Sequence, residues 1–329
     1  MKLKIGIVGY GAIAEKFHQP GIKASNYAEI SGVYDKNKDR CGKLASVEPD
    51  VKCYKSYEEM LSDSRIEAVL LATPNNLHCS NVISAAEAGK HILCEKPMAL
   101  NMVESRLMVD MCDKAGVTFM VAHHLRFKAC NIRTAEVISE GKLGRISSAR
   151  AIWSFNIPGG LLSDGWRENK NMSGGGQIMN VNSHCIDLLV YLFGKPQRVT
   201  AFLQTEKGSV VESGSIVMIE FDNGILGIAQ GSYREKGSSN NLEILGSEST
   251  VIVKGACSAG KDGELKYFPS GVCEKAETDV SPYTKEVDHF VRAIREKFEP
   301  ISSGRKILDT MMVIDAAYLS AQTGKHISF

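Results

Sequence analysis

The chain of 329 residues is poor in most of the features that mark specialised protein classes. It has no C-x-x-C pair and no Cys/His ligand spacing, although nine cysteines are scattered through it. That excludes a zinc-ribbon reading and a disulfide framework, and leaves reduced thiols of a cytoplasmic protein, with no metal expected. It has no excess of charge: 39 basic against 38 acidic residues give a net charge of +1, so no footprint for nucleic acid or an anionic membrane exists. No apolar run approaches the length of a membrane span. The first residues enter a strand without a charged n-region and a long apolar h-region, so no secretory leader is expected. Internal repeats and low-complexity tracts are absent. The hydrophobic fraction of 43% and charged fraction of 23% are those of a globular enzyme long enough for two cores.

What is present begins with a β-rich run over 3–8 and then Gly9-Tyr10-Gly11-Ala12-Ile13-Ala14. This is G-x-G-x-x-A after a strand and before a helix. The first glycine allows a tight turn, the second allows the backbone to approach a pyrophosphate, and the small third residue lets helix and strand pack closely. A second strand over 30–34 ends in Asp35, where an acidic residue would bond the ribose hydroxyls. A carboxylate there repels a 2′-phosphate, so NAD is expected, with NADP still compatible because Lys36 and Arg40 lie close. The alternative for Asp35 is a helix N-cap.

Strands and helices then alternate: strands at 51–54, 68–72, 91–94 and 118–122, and helices at 57–61, 76–88 and 100–115. The near-continuous apolar run over 68–72 is that of a strand buried on both faces. This alternation predicts a parallel, doubly wound sheet over residues 1–122. Its strand ends carry Thr73-Pro74-Asn75 with His78, and Glu95-Lys96-Pro97. Ligands bind outside the carboxyl ends of such strands, which puts Lys96 where chemistry is expected.

Residues 123–329 read as an α+β domain. It holds a helix over 129–140, a long strand over 145–156, a loop over 158–171 with Trp166 and Arg167, and a helix over 178–193 after a glycine run. Short strands with turns from 197 to 268 predict a large, mostly antiparallel sheet, and helices over 282–297 and 304–323 close the chain. A broad one-sided sheet is a natural surface for a homodimer or homotetramer. On the 178–193 helix, Asn180 and His184 are four residues apart and share a face, and Asp187, three beyond His184, is expected to be structural.

The glycine turn, Asp35, Ala72-Thr73-Pro74-Asn75 with His78, and Gly89-Lys90-His91-Ile92-Leu93-Cys94-Glu95-Lys96-Pro97 together resemble the glucose–fructose oxidoreductase/inositol dehydrogenase (Gfo/Idh/MocA) family. The resemblance implies an NAD(P)-dependent oxidoreductase acting on a sugar, keto-sugar or polyol. It assigns Gly9, Gly11, Ala12, Ile13, Asp35, Thr73, Pro74, Asn75, His78, Glu95 and Lys96 to the cofactor. It also implies that the last helix, about 304–323, packs back on the first domain. Lys96 and His184 match the family's catalytic lysine and histidine. Asn180 departs from the Asp usual at its position, so His184 is expected to be a weaker base here than in relatives. Histidine suits removal of a carbinol proton, and an ammonium suits the charge that develops on oxygen. His123-His124-Leu125-Arg126 and Gly165-Trp166-Arg167 are most similar to the family's 1,5-anhydrofructose reductase branch, which makes His124, Trp166 and Arg167 candidate substrate contacts. Two other readings occur in or beside this family: a glycosidase that oxidises, eliminates and re-reduces on bound NAD, and a non-catalytic NAD(H) sensor.

Overall fold

The computed structural model describes residues 1–157 and 165–329. The chain forms two compact units, Met1–His124 with Val280–Ile307, and Leu125–Asp279 with Leu308–Phe329.

In the first unit, β1 (Leu3–Val8), β2 (Ala28–Tyr34), β3 (Lys52–Cys53), β4 (Ala68–Leu71), β5 (His91–Glu95) and β6 (Phe119–Ala122) form one parallel sheet. Its order is β3-β2-β1-β4-β5-β6, so the direction of winding reverses between β1 and β4. All four residues of β4 are buried, as its apolar run requires. The crossover helices have local stop and start signals. Asn101 accepts the Glu104 N–H at 3.0 Å and caps Met102–Ala115, which ends at Gly116 with φ +68°. Ser56 caps Tyr57–Ser62 in the same way. The helix Pro282–Glu296 joins this unit late in the chain. It buries Tyr283, Val287, Phe290 and Val291 along one stripe, at i, i+4, i+7 and i+8.

The second unit is built on a ten-stranded sheet. Its strands are β7 (Ile146–Asn156), β8 (Pro196–Thr205), β9 (Glu212–Phe221), β10 (Leu226–Ser232), β11 (Arg234–Ser239), β12 (Leu242–Gly246), β13 (Thr250–Lys254), β14 (Gly263–Phe268), β15 (Cys273–Ala276) and β16 (Ile327–Ser328). The order is β15-β14-β13-β12-β7-β10-β9-β8-β16, with β11 pairing β7. All pairs are antiparallel except β7 with β10. The expected mostly antiparallel sheet is therefore present, and it runs on to residue 276. The helix Ser183–Phe193 packs on one face, with Ser183 to Val190 all buried. The opposite face exposes Phe202, Ile216 and Met218. Gly304–Thr323 begins in the first unit and continues into the second.

Among the described residues no helix is long and apolar enough to cross a membrane, and no group of three His, Cys, Asp or Glu side chains is placed to hold a metal ion.

Candidate active site

Each unit brings a separate group of the sequence-predicted residues together. In the first, β1 and β4 deliver their loops to the point where the winding reverses. Gly9 has φ +86°, and a Cβ there would lie 2.6 Å from the Ala72 carbonyl oxygen, so only glycine lets the two loops touch. Above Gly11 the space is open: a Cβ would meet only Arg40 Nη1, at 4.0 Å. Backbone at this position is thus free to approach a diphosphate, which fits a dinucleotide. Ala12 and Ile13 lead from this turn into Ala14–His18, which is wound as a π-helical turn rather than the expected α-helix. Such turns recur at functional sites.

Asp35 is not a helix cap; Asn37 caps Lys38–Val47. The Asp35 carboxylate accepts the Tyr10 N–H and the Asn37 N–H, each at 2.7 Å, and Arg40 Nη1 stands 3.6 Å away. The carboxylate is thereby tied to the glycine turn, with a guanidinium beside it.

His78 both starts a helix and bridges two loops. Its Nδ1 lies 2.9 Å from the Pro97 carbonyl oxygen and its Nε2 lies 2.9 Å from that of Thr73. Both neighbours are acceptors, so the neutral ring donates to only one of them. Burial pulls His78 below the ordinary histidine value, against the two carbonyls, which favour the proton. Thr73 also accepts from Asn81 Nδ2 at 3.2 Å, and Pro74 and the buried Asn75 complete the loop.

Glu95 ends β5 buried, with Oε1 2.6 Å from His18 Nε2 and Oε2 accepting the Lys96 N–H at 3.0 Å. Burial alone would raise its pKa; the hydrogen bond and charge of His18, with those of Lys96 and His124, outweigh it and bring the carboxyl down to about 2. Lys96 follows, half-buried, and its peptide to Pro97 is cis. His124 is buried and stacks on Tyr283, ring centroids 4.8 Å apart, while His18 meets the same ring edge-on at 5.2 Å. Glu286, on the helix with Tyr283, is fully buried, and neither of its oxygens meets a hydrogen-bond donor among the described residues. Burial, and then the Glu95 charge, push its carboxyl well above the ordinary range. His18, Tyr283 and Glu286 carry no motif in the sequence. The last two lie on the helix expected over 282–297, which nothing in the sequence linked to the site.

In the second unit the expected single helix is two pieces. Ile178–Asn182 is a π-helical turn, and Ser183–Phe193 continues it as α-helix. The turn is fixed from the sheet. Glu212 Oε1 accepts the N–H groups of Gly176 and Ile178 at 3.0 and 2.9 Å and the Tyr318 hydroxyl at 2.8 Å. Asn182 Nδ2 donates to Ser215 Oγ and the Ala229 carbonyl. Asn180 donates to the Gly176 carbonyl at 2.8 Å, and the buried His184 ring packs 5.0 Å from Trp153. Asp187 is fully buried in a two-point ion pair with Arg126, Nη2–Oδ1 2.7 Å and Nε–Oδ2 2.9 Å, and accepts from Thr310 at 3.0 Å. Arg167 lies over the Trp166 ring at 4.4 Å. Residues 158–164 of the same loop lie outside the described residues. Asn180 and Arg167 both border Tyr233, a residue the sequence gave no reason to single out.

Comparison with known proteins finds two models of one family on the chain. Residues 3–123 match a family model described as the Gfo/Idh/MocA oxidoreductase family, NAD-binding Rossmann fold, and residues 132–252 match the C-terminal domain model of the same family. The chain is 29% identical to D-xylose 1-dehydrogenase (NADP(+)) 2 of Haloferax volcanii over 98% of each chain. It is 29% identical to 1,5-anhydro-D-fructose reductase of Ensifer adhaerens over 75% of this chain and 74% of that one. The solved structure of a levoglucosan dehydrogenase in complex with NADH superposes with a TM-score of 0.88 at 25% identity, covering 100% of this chain and 99% of the other. The glycine turn, the Asp35 anchor and the two matched models carry one conclusion: the chain belongs to the Gfo/Idh/MocA family and is an NAD(P)-dependent oxidoreductase.

Proposed function

We propose that the protein moves a hydride between nicotinamide and a carbinol or carbonyl carbon of a sugar, keto-sugar or polyol. The observation that carries this reading is the grouping of Asn180, His184, Trp153, Trp166 and Arg167 in the second unit: aromatic faces suited to the C–H side of a sugar ring, among groups that bond hydroxyls. Bound nicotinamide supplies the hydride acceptor or donor. The Gly9–Gly11 turn with Ala12 and Ile13 would take the diphosphate and Asp35 the ribose hydroxyls. Thr73, Pro74, Asn75, His78 and Glu95 would shape the floor that the nicotinamide half needs. Arg40 beside Asp35 offsets the carboxylate charge, which keeps NADP open beside NAD.

In oxidation, His184 takes the proton of the reacting hydroxyl, and the Lys96 ammonium holds the negative charge developing on the same oxygen. In reduction both run in reverse. Asn180 orients without adding charge. His124, Trp166 and Arg167 are proposed as further substrate contacts, although the stack of His124 on Tyr283 supports a supporting role equally well.

A panel of sugars, keto-sugars and inositols with NAD(H) and NADP(H), read at the reduced-nicotinamide absorbance band, tests the reading. Turnover of at least one sugar-like compound, lost in Lys96→Ala and His184→Ala, is expected. Cleavage of a glycoside with no net change in reduced nicotinamide would replace it by the glycosidase reading, and silence across the panel would reject it.

A second copy of the chain is proposed to cover the outer face of the large sheet, where Phe202 stands opposite Ile216 and Met218 opposite Thr200 in register. Light scattering should return a multiple of 35.9 kDa, and the monomer mass would contradict this. All nine cysteines are free thiols, which supports a reducing, cytoplasmic setting.

A further inference from the structure

Two of the nine cysteines meet beside the Asp35 anchor. Cys41 lies in the first turn of the helix Lys38–Val47, and Cys53 ends β3. β3 is a two-residue strand at the edge of the parallel sheet, with Lys52 opposite Gly32 and Cys53 opposite Val33. Tyr54 holds that register, its N–H donating to the Val33 carbonyl at 2.9 Å. Val33 stands two residues before Asp35, so the pairing of β2 with β3 brings Cys53 to the Asp35 end of β2. The Cys41 thiol closes the group. Its Sγ accepts the Asp35 N–H at 3.1 Å, lies 3.8 Å from the Asp35 carbonyl oxygen, and shares a side-chain hydrogen bond with Cys53. Two thiols in contact need an approach on the order of 2 Å to join covalently.

The two thiols differ in access. Cys53 is exposed and Cys41 is buried. A reagent from solvent reaches Cys53 first, and Cys41 waits beneath it as the resolving thiol. Burial raises Cys41 above its ordinary thiol value, opposed by its bond to the Asp35 backbone, so it keeps its proton until Cys53 has reacted. Cys185 and Cys257 also share a hydrogen bond, but both are buried, so no such reagent reaches either.

We propose that Cys41 and Cys53 form a reversible redox-modification site, oxidised by exchange with a low-molecular-weight disulfide, that loosens the hold of Asp35 on the cofactor. This rests on the reading above in which Asp35 takes the ribose hydroxyls. Cys53 gives its proton to water and attacks one sulfur of the small disulfide; that S–S bond breaks and one small thiol leaves. Cys41 then gives up its proton and attacks Cys53 Sγ; the mixed disulfide breaks and the second small thiol leaves. Two protein thiols are oxidised and one small disulfide is reduced to two thiols. The new bond removes the S–H beside the Asp35 carbonyl and draws the first turn of the helix toward β3. Asp35 and the Asn37 cap sit at the start of that turn, and the Asp35 carboxylate holds the Tyr10 N–H of the glycine turn at 2.7 Å. Shifting it disturbs the ribose and diphosphate contacts together.

The test treats the reduced protein with oxidised glutathione, blocks the remaining thiols, and digests it with trypsin without reduction. NADH binding is followed by nicotinamide fluorescence, which needs no substrate. The expected product joins the peptide Cys41–Lys43 to the peptide Cys53–Lys55. The NADH dissociation constant should rise about 10-fold, and dithiothreitol should reverse both changes. By reciprocity, saturating NADH should resist the oxidation by the same factor, about 30 mV in the potential of the pair. Cys53→Ser should bind NADH as the reduced wild type does and ignore oxidised glutathione. Loss of NADH affinity in that treated variant would place the effect on another thiol and overturn the assignment. Glutathione held on Cys53 with no linked peptide would overturn the pairing. The linked peptide with an unchanged dissociation constant would overturn the coupling to Asp35. Asp35→Ala, kept reduced, then separates the two proposals: NADH binding as tight as wild type means that the ribose reading has failed, and weakened binding leaves that reading standing with the redox site alone refuted.

Discussion

Asp35 in the first unit and Asp187 in the second are both fixed carboxylates, and they are held in opposite ways. Asp35 is fixed by backbone, through the N–H groups of Tyr10 and Asn37, and the loops around it touch through Gly9 and Ala72. Asp187 is fixed by side chains, Arg126 from 61 residues upstream and Thr310 from 123 downstream. The same contrast runs through the two units. In the parallel-sheet unit the site is cut from turns at strand ends, with His78 joining the carbonyls of Thr73 and Pro97. In the unit on the large sheet it is assembled from side chains of β7, β9, the segment after β10 and a helix that opens with a π turn. A site of turns tolerates changes in neighbouring side chains. A site of side chains depends on each partner staying in place.

The sharpest way to break this contrast is Asp187→Ala. It removes the carboxylate from a buried ion pair and takes from the Arg126 guanidinium its opposite charge, which costs about 3–5 kcal/mol. Urea unfolding monitored by Trp fluorescence, which reports the second unit, should show the midpoint falling accordingly. A loss under about 1 kcal/mol would mean that the network is not what holds the His184 helix.

A smaller effect is expected in the first unit, and its sign depends on pH. Folded Glu286 keeps a proton that the unfolded chain releases above its ordinary value of 4.5. The folded state then binds more protons than the unfolded state, so Glu286 costs stability increasingly as pH rises through that value. Glu286→Gln does not titrate. Its stability relative to wild type should rise from pH 5 to pH 8, by at most about 1.4 kcal/mol per pH unit. Thermal midpoints across that range check this, and a constant difference would show that Glu286 is ionised in the folded protein. Glu95, held down to about 2 by His18, has no such slope in this range.

The contrast also explains what could be read from the sequence. Gly9, Gly11 and Asp35 lie within one strand–turn–helix–strand run, where spacing alone fixes their positions, and the parallel sheet follows from alternating strands and helices. Lys96 was legible as the residue after a buried strand. The pairing of His18 with Glu95 was not, because it joins two elements 77 residues apart. Asn180 and His184 were visible as neighbours on a helix, but the π turn beneath them depends on Glu212, a lone acidic residue in a strand pattern. The parallel pairing of β7 with β10 inside an otherwise antiparallel sheet leaves no periodic trace, so nothing in the sequence set Tyr233 beside Phe155.

The central claim is that hydride passes between a substrate carbon and nicotinamide, with Lys96 and His184 attending to the oxygen. A substrate carrying deuterium at the reacting carbon tests it most directly, with the reduced nicotinamide collected and weighed by mass spectrometry. One deuterium per reduced nicotinamide, formed in step with oxidised product, is the predicted result. Product without label in the nicotinamide, or without its reduction, would contradict the account.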